Sequence, residues 1–225
     1  MLKSRFNDDS LIEIGIDEAG RGCLWGPLMA GAVVWPLESN WDDTIRNISM
    51  KIKDSKKISA TKREKLADEI KQYALYSGTG FVTASEVDSL GATKGNQLAF
   101  RRALDSIQFS ESDKESHKRI CIDGILPMTT YSENEIGETI IDGDEKYISI
   151  AAASILAKVT HDKWVKDWCE SNSELGTRYD FLSCKGYGTA KHRKAILEFG
   201  PVAEHRKLYL RKLIPNITVS RYEFI

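Results

Sequence analysis

The chain has no C-x-x-C pair. Its four cysteines, Cys23, Cys121, Cys169 and Cys184, are scattered. Reduced thiols fit that pattern better than a disulfide framework or a zinc site. No apolar run reaches the roughly 18 residues that a membrane span needs. The N-terminus has no signal-peptide apolar stretch. These absences predict an intracellular, cytoplasmic protein, or a nuclear one should the source be eukaryotic. Neither sign of charge prevails, with 32 Lys and Arg against 33 Asp and Glu. A global attraction to nucleic acid is therefore excluded, and any such partner must be held by local basic clusters. No internal repeat and no low-complexity linker divides the 225 residues, which suit a single domain. With 41% hydrophobic residues the chain can bury a sizeable core.

What is present begins with strands. The apolar run Leu11–Ile16 reads as a buried strand, and a second run, Leu28–Trp35, follows a glycine-rich turn. Residues Pro36–Asp54 read as irregular. Ser59 caps an expected helix to Tyr76, marked by Leu66, Ile70 and Tyr73. A short strand is expected at Gly78–Ala84, with helices at Ser85–Leu90 and Thr93–Ile107. Ser110–Arg119 reads as a solvated loop, Ile120–Gly124 as a strand, and a polar loop follows. Ile148–Cys169 reads as a long helix whose small residues permit close packing. Ser171–Gly188 reads as a loop, and Ala190–Phe199 as a helix stopped by Gly200-Pro201. Strands interleaved with helices point to an α/β or α+β sheet domain.

Two strand ends carry acids: Asp17-Glu18 and Asp123. The carboxyl ends of strands in such sheets are where ligands usually bind. A single acid beside a glycine turn is more often an ordinary strand end. Three carboxylates converging are different. At about 5 Å, two like charges repel by roughly 3 kcal/mol at an effective dielectric near 20. A proton or a cation must offset this. All-oxygen ligands suit Mg²⁺ or Mn²⁺, and paired metals of that kind assist phosphoryl chemistry. Gly20-Arg21-Gly22 is not a dinucleotide fingerprint, since Trp25 stands where the third glycine belongs. It is not a Walker loop either. Lysines cluster at Lys51, Lys53, Lys56 and Lys57. Ser154, Lys158 and Asp162 recur at helical spacing, with His161 beside them, and predict a polar helix face. Lys185, Tyr187 and His192 place an aromatic among cations, as a nucleic-acid backbone would want.

In order, "GIDEAGRG", "DSKKIS", "IDG", "ISIAAASILAKVTHD" and "GYGTAKH" resemble the motifs of the type 2 ribonucleases H, specifically the ribonuclease HII family. The likeness runs from about Gly15 to about Tyr209. It implies an RNase H-like α/β fold, a mixed central sheet flanked by helices with a helical C-terminal portion. It implies one catalytic domain over residues 1–225, with an extension of unknown structure after about residue 209. It implies Mg²⁺- or Mn²⁺-dependent endonucleolytic hydrolysis of RNA in RNA–DNA hybrids. Incision 5′ of single ribonucleotides embedded in duplex DNA is implied as well, by a monomer whose clamp or accessory partners stay open. The family's catalytic, metal-holding acids map to Asp17, Glu18 and Asp123. The fourth falls in Gly143-Asp144, with Asp142 the neighbouring alternative. Gly20, Arg21 and Gly22 would read the ribose 2′-OH, and Tyr187 would pack on the next sugar. Lys56, Ser154, Lys158, Lys185 and His192 complete the expected substrate contacts.

Three features depart from the family pattern. Cys23, Leu24 and Trp25 replace a proline and small residues, so Trp25 is expected to narrow the groove beside the ribose. His161 stands where arginine is usual, and Asp167–Lys185 is long. The motifs begin so near Met1 that the extra domain of ribonuclease HIII is not expected. A non-catalytic binder is disfavoured because all the acids are present. A small-molecule hydrolase is disfavoured because the basic and aromatic groups are dispersed along the chain.

Overall fold

A computed structural model describes residues 1–216. In chain order these form β1 (Ile12–Ala19), β2 (Leu28–Val34), α1 (Asp43–Lys51), α2 (Ala60–Tyr73), β3 (Tyr76–Val82), α3 (Ala84–Leu90) and α4 (Ala92–Asp105). There follow α5 (Glu111–Lys114), β4 (Lys118–Asp123), β5 (Glu135–Ile140), α6 (Ile148–Ser171), α7 (Ser173–Arg178), α8 (Phe181–Cys184), α9 (Ala190–Phe199) and α10 (Lys207–Leu210). The strands make one sheet in the order β3-β2-β1-β4-β5. β1 pairs antiparallel with β2, and β2 with β3. The pairs β1–β4 and β4–β5 are parallel. The sheet is thus mixed and flanked by helices, with a helical C-terminal part, as the resemblance implies.

Every residue of β2 is buried. Helices cover both its faces, which is why it reads as a continuous apolar run instead of alternating. On one face, Ile14, Ile16, Leu28 and Ala30 pack with Phe100, Ala103 and Leu104 of α4. On the other, α6 lies almost on the backbone. A Cβ at Gly15 would sit 2.2 Å from the Ser149 carbonyl carbon, and one at Gly31 would sit 2.3 Å from the Ala153 oxygen. The alanine-rich start of α6 and these two glycines therefore make one close-packed seam, and the close packing expected of α6 holds.

Several expectations need correction. Pro36–Asp54 is not wholly irregular. Asp42 caps α1 by accepting from the Ile45 N–H at 2.7 Å, and only Ile48 and Ser49 of that helix are buried. Ser110–Arg119 contains α5 and the start of β4. The polar loop after Gly124 contains β5, an edge strand with one fully buried residue. α2 ends at Tyr73, and Tyr76 already belongs to β3; Ser59 precedes α2 without a side-chain cap bond. Ser171–Gly188 holds α7 and α8. With α9 and α10 they surround Trp25, Tyr179 and Phe181 in a third core cluster. Leu210, Leu213 and Ile214 join this cluster, so part of the expected C-terminal extension is packed. Residues 217–225 lie outside the described residues.

Candidate active site

The register of β1 against β4 decides where the acids meet. Ile16 is opposite Ile122, so Asp17 and Asp123 come next on adjacent parallel strands. Alternation along β1 puts Asp17 on the face of Gly15, toward α6. Glu18 points to the other face, and its Oε2 accepts weakly from the Asn96 amide of α4 at 3.5 Å. Asp144 arrives from a 3-10 turn, Gly143–Glu145, after β5. Asp142 turns the chain there in the left-handed conformation, at φ 53°. The N–H groups of Gly143 and Asp144 then donate to Asp123 Oδ1 at 2.7 and 3.2 Å. This places Asp144 inward, 7% exposed, while Asp142 faces solvent.

The electrostatics follow from this crowding. Burial, and then the charges of Glu18 and Asp123, push the Asp17 carboxyl well above its ordinary range. Burial lifts Glu18, against the opposing pull of Arg21, whose guanidinium lies 3.8 Å away. Burial raises Asp123 despite its two N–H donors. Burial and the charge of Asp123 raise Asp144 to about 6. The nearby ammonium of Lys56 opposes both of these last shifts without cancelling them.

Four acids short of positive charge are a donor set that fits a hard divalent cation. The carboxylates of Asp17, Glu18 and Asp123 are meanwhile turned to the Glu18 N–H, to Asn96 and Arg21, and to the Gly143 and Asp144 N–H groups. Among the described residues no three His, Cys, Asp or Glu side chains already stand together as metal ligands. Side-chain rotation would have to complete the ligand set.

A cleft of about 440 Å³ opens over Asp17, Glu18 and Asp123. Ser55, Lys56, Ser154, Lys158 and Tyr187 line the rest of it. The Ser55 and Ser154 hydroxyls share a hydrogen bond of 2.8 Å, which ties the lysine-bearing turn Ser55–Lys57 to α6. Lys158 pairs with Asp162 at 2.7 Å, and its ammonium lies 5.8 Å from the Tyr187 ring centre. Gly20, Arg21 and Gly22 form the turn directly after β1. Gly20 is required by the fold, with φ +78° and His161 only 2.6 Å from an added Cβ. Gly22 is exposed, and a Cβ there would meet nothing within 4 Å. The cysteine beside this turn is no nucleophile, since burial pushes the Cys23 thiol up to about 12.

Some expected contacts fall elsewhere. Lys185 does not line the cleft; it ends α8 in the left-handed conformation. His192 is fully buried, so the expectation that it touches substrate is corrected. It sits behind Tyr187 instead. Its Nδ1 meets the Tyr187 carbonyl at 2.9 Å and its Nε2 meets His205 Nε2 at 3.1 Å. The Val202 N–H lies 3.0 Å from His205 Nδ1. One assignment of neutral tautomers satisfies the chain: Val202 N–H donates to His205, His205 to His192, and His192 to Tyr187. His161 is also fully buried, so the polar helix face narrows to Ser154, Lys158 and Asp162. Trp25 does not narrow a groove. It is 0% exposed and stacks on Phe181 with ring centres 3.7 Å apart.

The residues that hold this arrangement from behind were missed. They are His205, Arg206 and Tyr209, in a stretch that reads in sequence as basic surface. The one available signal was His205-Arg206-Lys207 set directly before the triplet Leu208-Tyr209-Leu210.

Fold and site together define a nuclease-like α/β protein with acids at adjacent strand ends and a glycine turn beside them. The family model for ribonuclease HII matches residues 14–212. A Fusobacterium nucleatum ribonuclease HII is 39% identical over 203 residues, covering 89% of this chain and 86% of that one. One from Syntrophotalea carbinolica is 40% identical over 195 residues, covering 87% and 83%. The crystal structure of ribonuclease H2 from Pyrococcus horikoshii OT3 superposes with a TM-score of 0.66 at 26% identity, covering 89% and 96%. The chain belongs to the ribonuclease HII family and is a type 2 ribonuclease H enzyme.

Proposed function

We propose that the chain cuts RNA within RNA–DNA hybrids and incises duplex DNA on the 5′ side of a single embedded ribonucleotide. The observation that carries this reading is one strand-end cleft over Asp17, Glu18 and Asp123, with Asp144 bonded through its N–H to Asp123 beside it and burial raising the protonation of all four. Asp144 is preferred to Asp142 because it is the one turned inward. These acids would hold Mg²⁺ or Mn²⁺, which when bound activates water and steadies the leaving oxygen. The chain's own residues do the rest. Lys56 and Lys158 neutralise phosphate oxygens at the cleft walls, and Ser154 offers a hydroxyl between them. Gly22 lets the main chain approach the sugar, because no side chain stands between. Tyr187, 40% exposed, presses on the neighbouring sugar. His192 holds that tyrosine's backbone and does not meet substrate. Lys185 would reach phosphate only beyond the cleft.

The partners are RNA–DNA hybrids and ribonucleotide-containing duplexes, which places the work inside the cell. Among the described residues no helix is long and apolar enough to cross a membrane. The chain acts as one monomeric catalytic domain. The test is an end-labelled duplex with one ribonucleotide, incubated with Mg²⁺ and with chelator. A single cut 5′ of the ribonucleotide, only with metal, is expected. Equal cutting of an all-DNA duplex would overturn the reading.

A further inference from the structure

Arg206 is a fully buried guanidinium that reaches the glycine turn from behind. Its Nε donates to the Gly26 carbonyl at 2.9 Å and its Nη1 to the Arg21 carbonyl at 3.0 Å. The third nitrogen, Nη2, has no partner among the described residues. Both acceptors belong to the loop between β1 and β2. A second donor meets the same place: the Tyr209 hydroxyl donates to the Arg21 carbonyl at 3.0 Å. Two donors fill both lone pairs of that one oxygen.

The Arg21 carbonyl occupies a decisive position. The Cys23 N–H donates to the Gly20 carbonyl at 3.1 Å, which closes a four-residue turn with Arg21 and Gly22 at its centre. The peptide joining those two central residues is the unit whose orientation separates type I from type II turns. A type II turn needs positive φ at Gly22, and Gly22 does not have it. A glycine could adopt it at little cost, so the flipped turn is close in energy. A trans peptide is planar, with C=O and N–H pointing in opposite directions. Once the Arg21 carbonyl is pinned toward buried Arg206, the Gly22 N–H must point outward. Gly22 is exposed, and its N–H has no backbone partner among the described residues.

We infer that Arg206 and Tyr209 are positioning residues for sugar recognition: by gripping the Arg21 carbonyl they prevent the turn from flipping and hold the Gly22 N–H as a donor to a ribose hydroxyl. The inference rests on the proposed function, because it assigns that donor its sugar. The same segment steadies the other wall of the site, since His205 is bonded to His192 behind Tyr187. The backbone adds to the grip. The Arg206 N–H donates to the Leu24 carbonyl and the Gly26 N–H to the Glu204 carbonyl, both at 2.8 Å.

The test compares wild type, Tyr209→Phe and Arg206→Lys on two DNA duplexes. One carries a single ribonucleotide; the other carries a 2′-fluoro nucleotide at that place. The Gly22 amide resonance is followed in the same ¹⁵N-labelled proteins. Tyr209→Phe should lower kcat/KM on the ribonucleotide by about 3- to 10-fold, the worth of one hydrogen bond. Arg206→Lys should lower it by about 10- to 100-fold, as loss of a charge-assisted bond implies. Binding of the fluoro duplex, read as Kd, should change less than about twofold, since it offers no hydroxyl. The double variant should lose less than the product of the two, because both donors act through one carbonyl. The Gly22 amide should shift in each variant. Should Arg206→Lys fail to fold, Tyr209→Phe, which removes only a hydroxyl from a partly buried ring, carries the test. Equal losses on both duplexes, in kcat/KM on one and in affinity for the other, with an unmoved Gly22 amide would overturn the inference, as would no loss at all. If wild type does not cut the ribonucleotide duplex, the proposed function falls, and the Gly22 amide alone decides whether the grip exists.

Discussion

At the residue scale the acids and the glycines make separable demands. Asp123→Asn keeps the shape of the side chain and removes one charge from a crowded set. Activity should fall at least about 100-fold, as when a group that stabilises the reacting charge is lost. Metal-free thermal stability should be unchanged or higher, because repulsion with Asp17 and Asp144 falls. A kinetic assay beside a melting curve checks both halves, and near-wild-type cleavage would remove Asp123 from the site. Gly20 and Gly22 should part company in the same way. Gly20→Ala forces a side chain into a left-handed backbone and against His161, so it should destabilise by about 1–3 kcal/mol. Gly22→Ala meets open space, so it should melt like wild type and yet lose cleavage of both hybrid and embedded ribonucleotide. Loss of stability in Gly22→Ala would contradict the geometry.

At the element scale the close seam of α6 against β1 and β2 is a stability device, and the buried histidine pair is a pH-sensitive one. Gly31→Ala drives a methyl into the Ala153 carbonyl and should cost about 1–3 kcal/mol, read as a lowered Tm. Burial holds His192 and His205 below their ordinary value of 6.5, His205 at about 4. A base depressed by folding gives stability that is full above 6.5 and lost as pH falls toward 4. Protonating either imidazole also breaks the donor chain from Val202 to Tyr187. Melting curves from pH 7 to pH 4 should therefore fall more steeply for wild type than for His205→Gln, and parallel curves would refute the role.

The elements differ in how legible they were. β1, β4 and the start of α6 were readable because an apolar run ending in acids, and an alanine-rich stretch, each carry their own signal. β5 was not, because an edge strand with one buried residue has no alternation to detect. α1 was not, because its burial rests on Ile48 and Ser49. Trp25 and His192 were placed at the substrate by their sequence neighbours, and His161 beside a polar helix face. The burial of Trp25 and His192 depends on Phe181 of α8 and on His205 packing against them from distant parts of the chain, which no local pattern announces. Arg206 was hidden for the opposite reason, since a buried guanidinium looks in sequence like any surface charge.

At the scale of the whole molecule, a net charge of −1 means that nucleic acid is held by local patches and not by an overall field. With Lys56 and Lys158 on phosphates, binding of a cleavage-dead variant should weaken steeply with salt and hardly vary with base sequence. A strong base preference at the cut would contradict that. On the proposed role of Tyr187 against the sugar beyond the junction, Tyr187→Ala should lose more activity on a single embedded ribonucleotide than on a continuous hybrid. An equal loss on both would reduce it to a packing element. The central claim is that the strand-end acids from β1, β4 and the turn after β5 form one divalent-cation site. It is tested most directly by titrating Mn²⁺ into wild type and into Asp17→Asn/Asp123→Asn and reading free Mn²⁺ by electron paramagnetic resonance. The account predicts binding by wild type and at least about a 100-fold weaker affinity in the double variant, the scale on which metal sites respond to damage in their ligand shells. Equal affinity in the two proteins would contradict it.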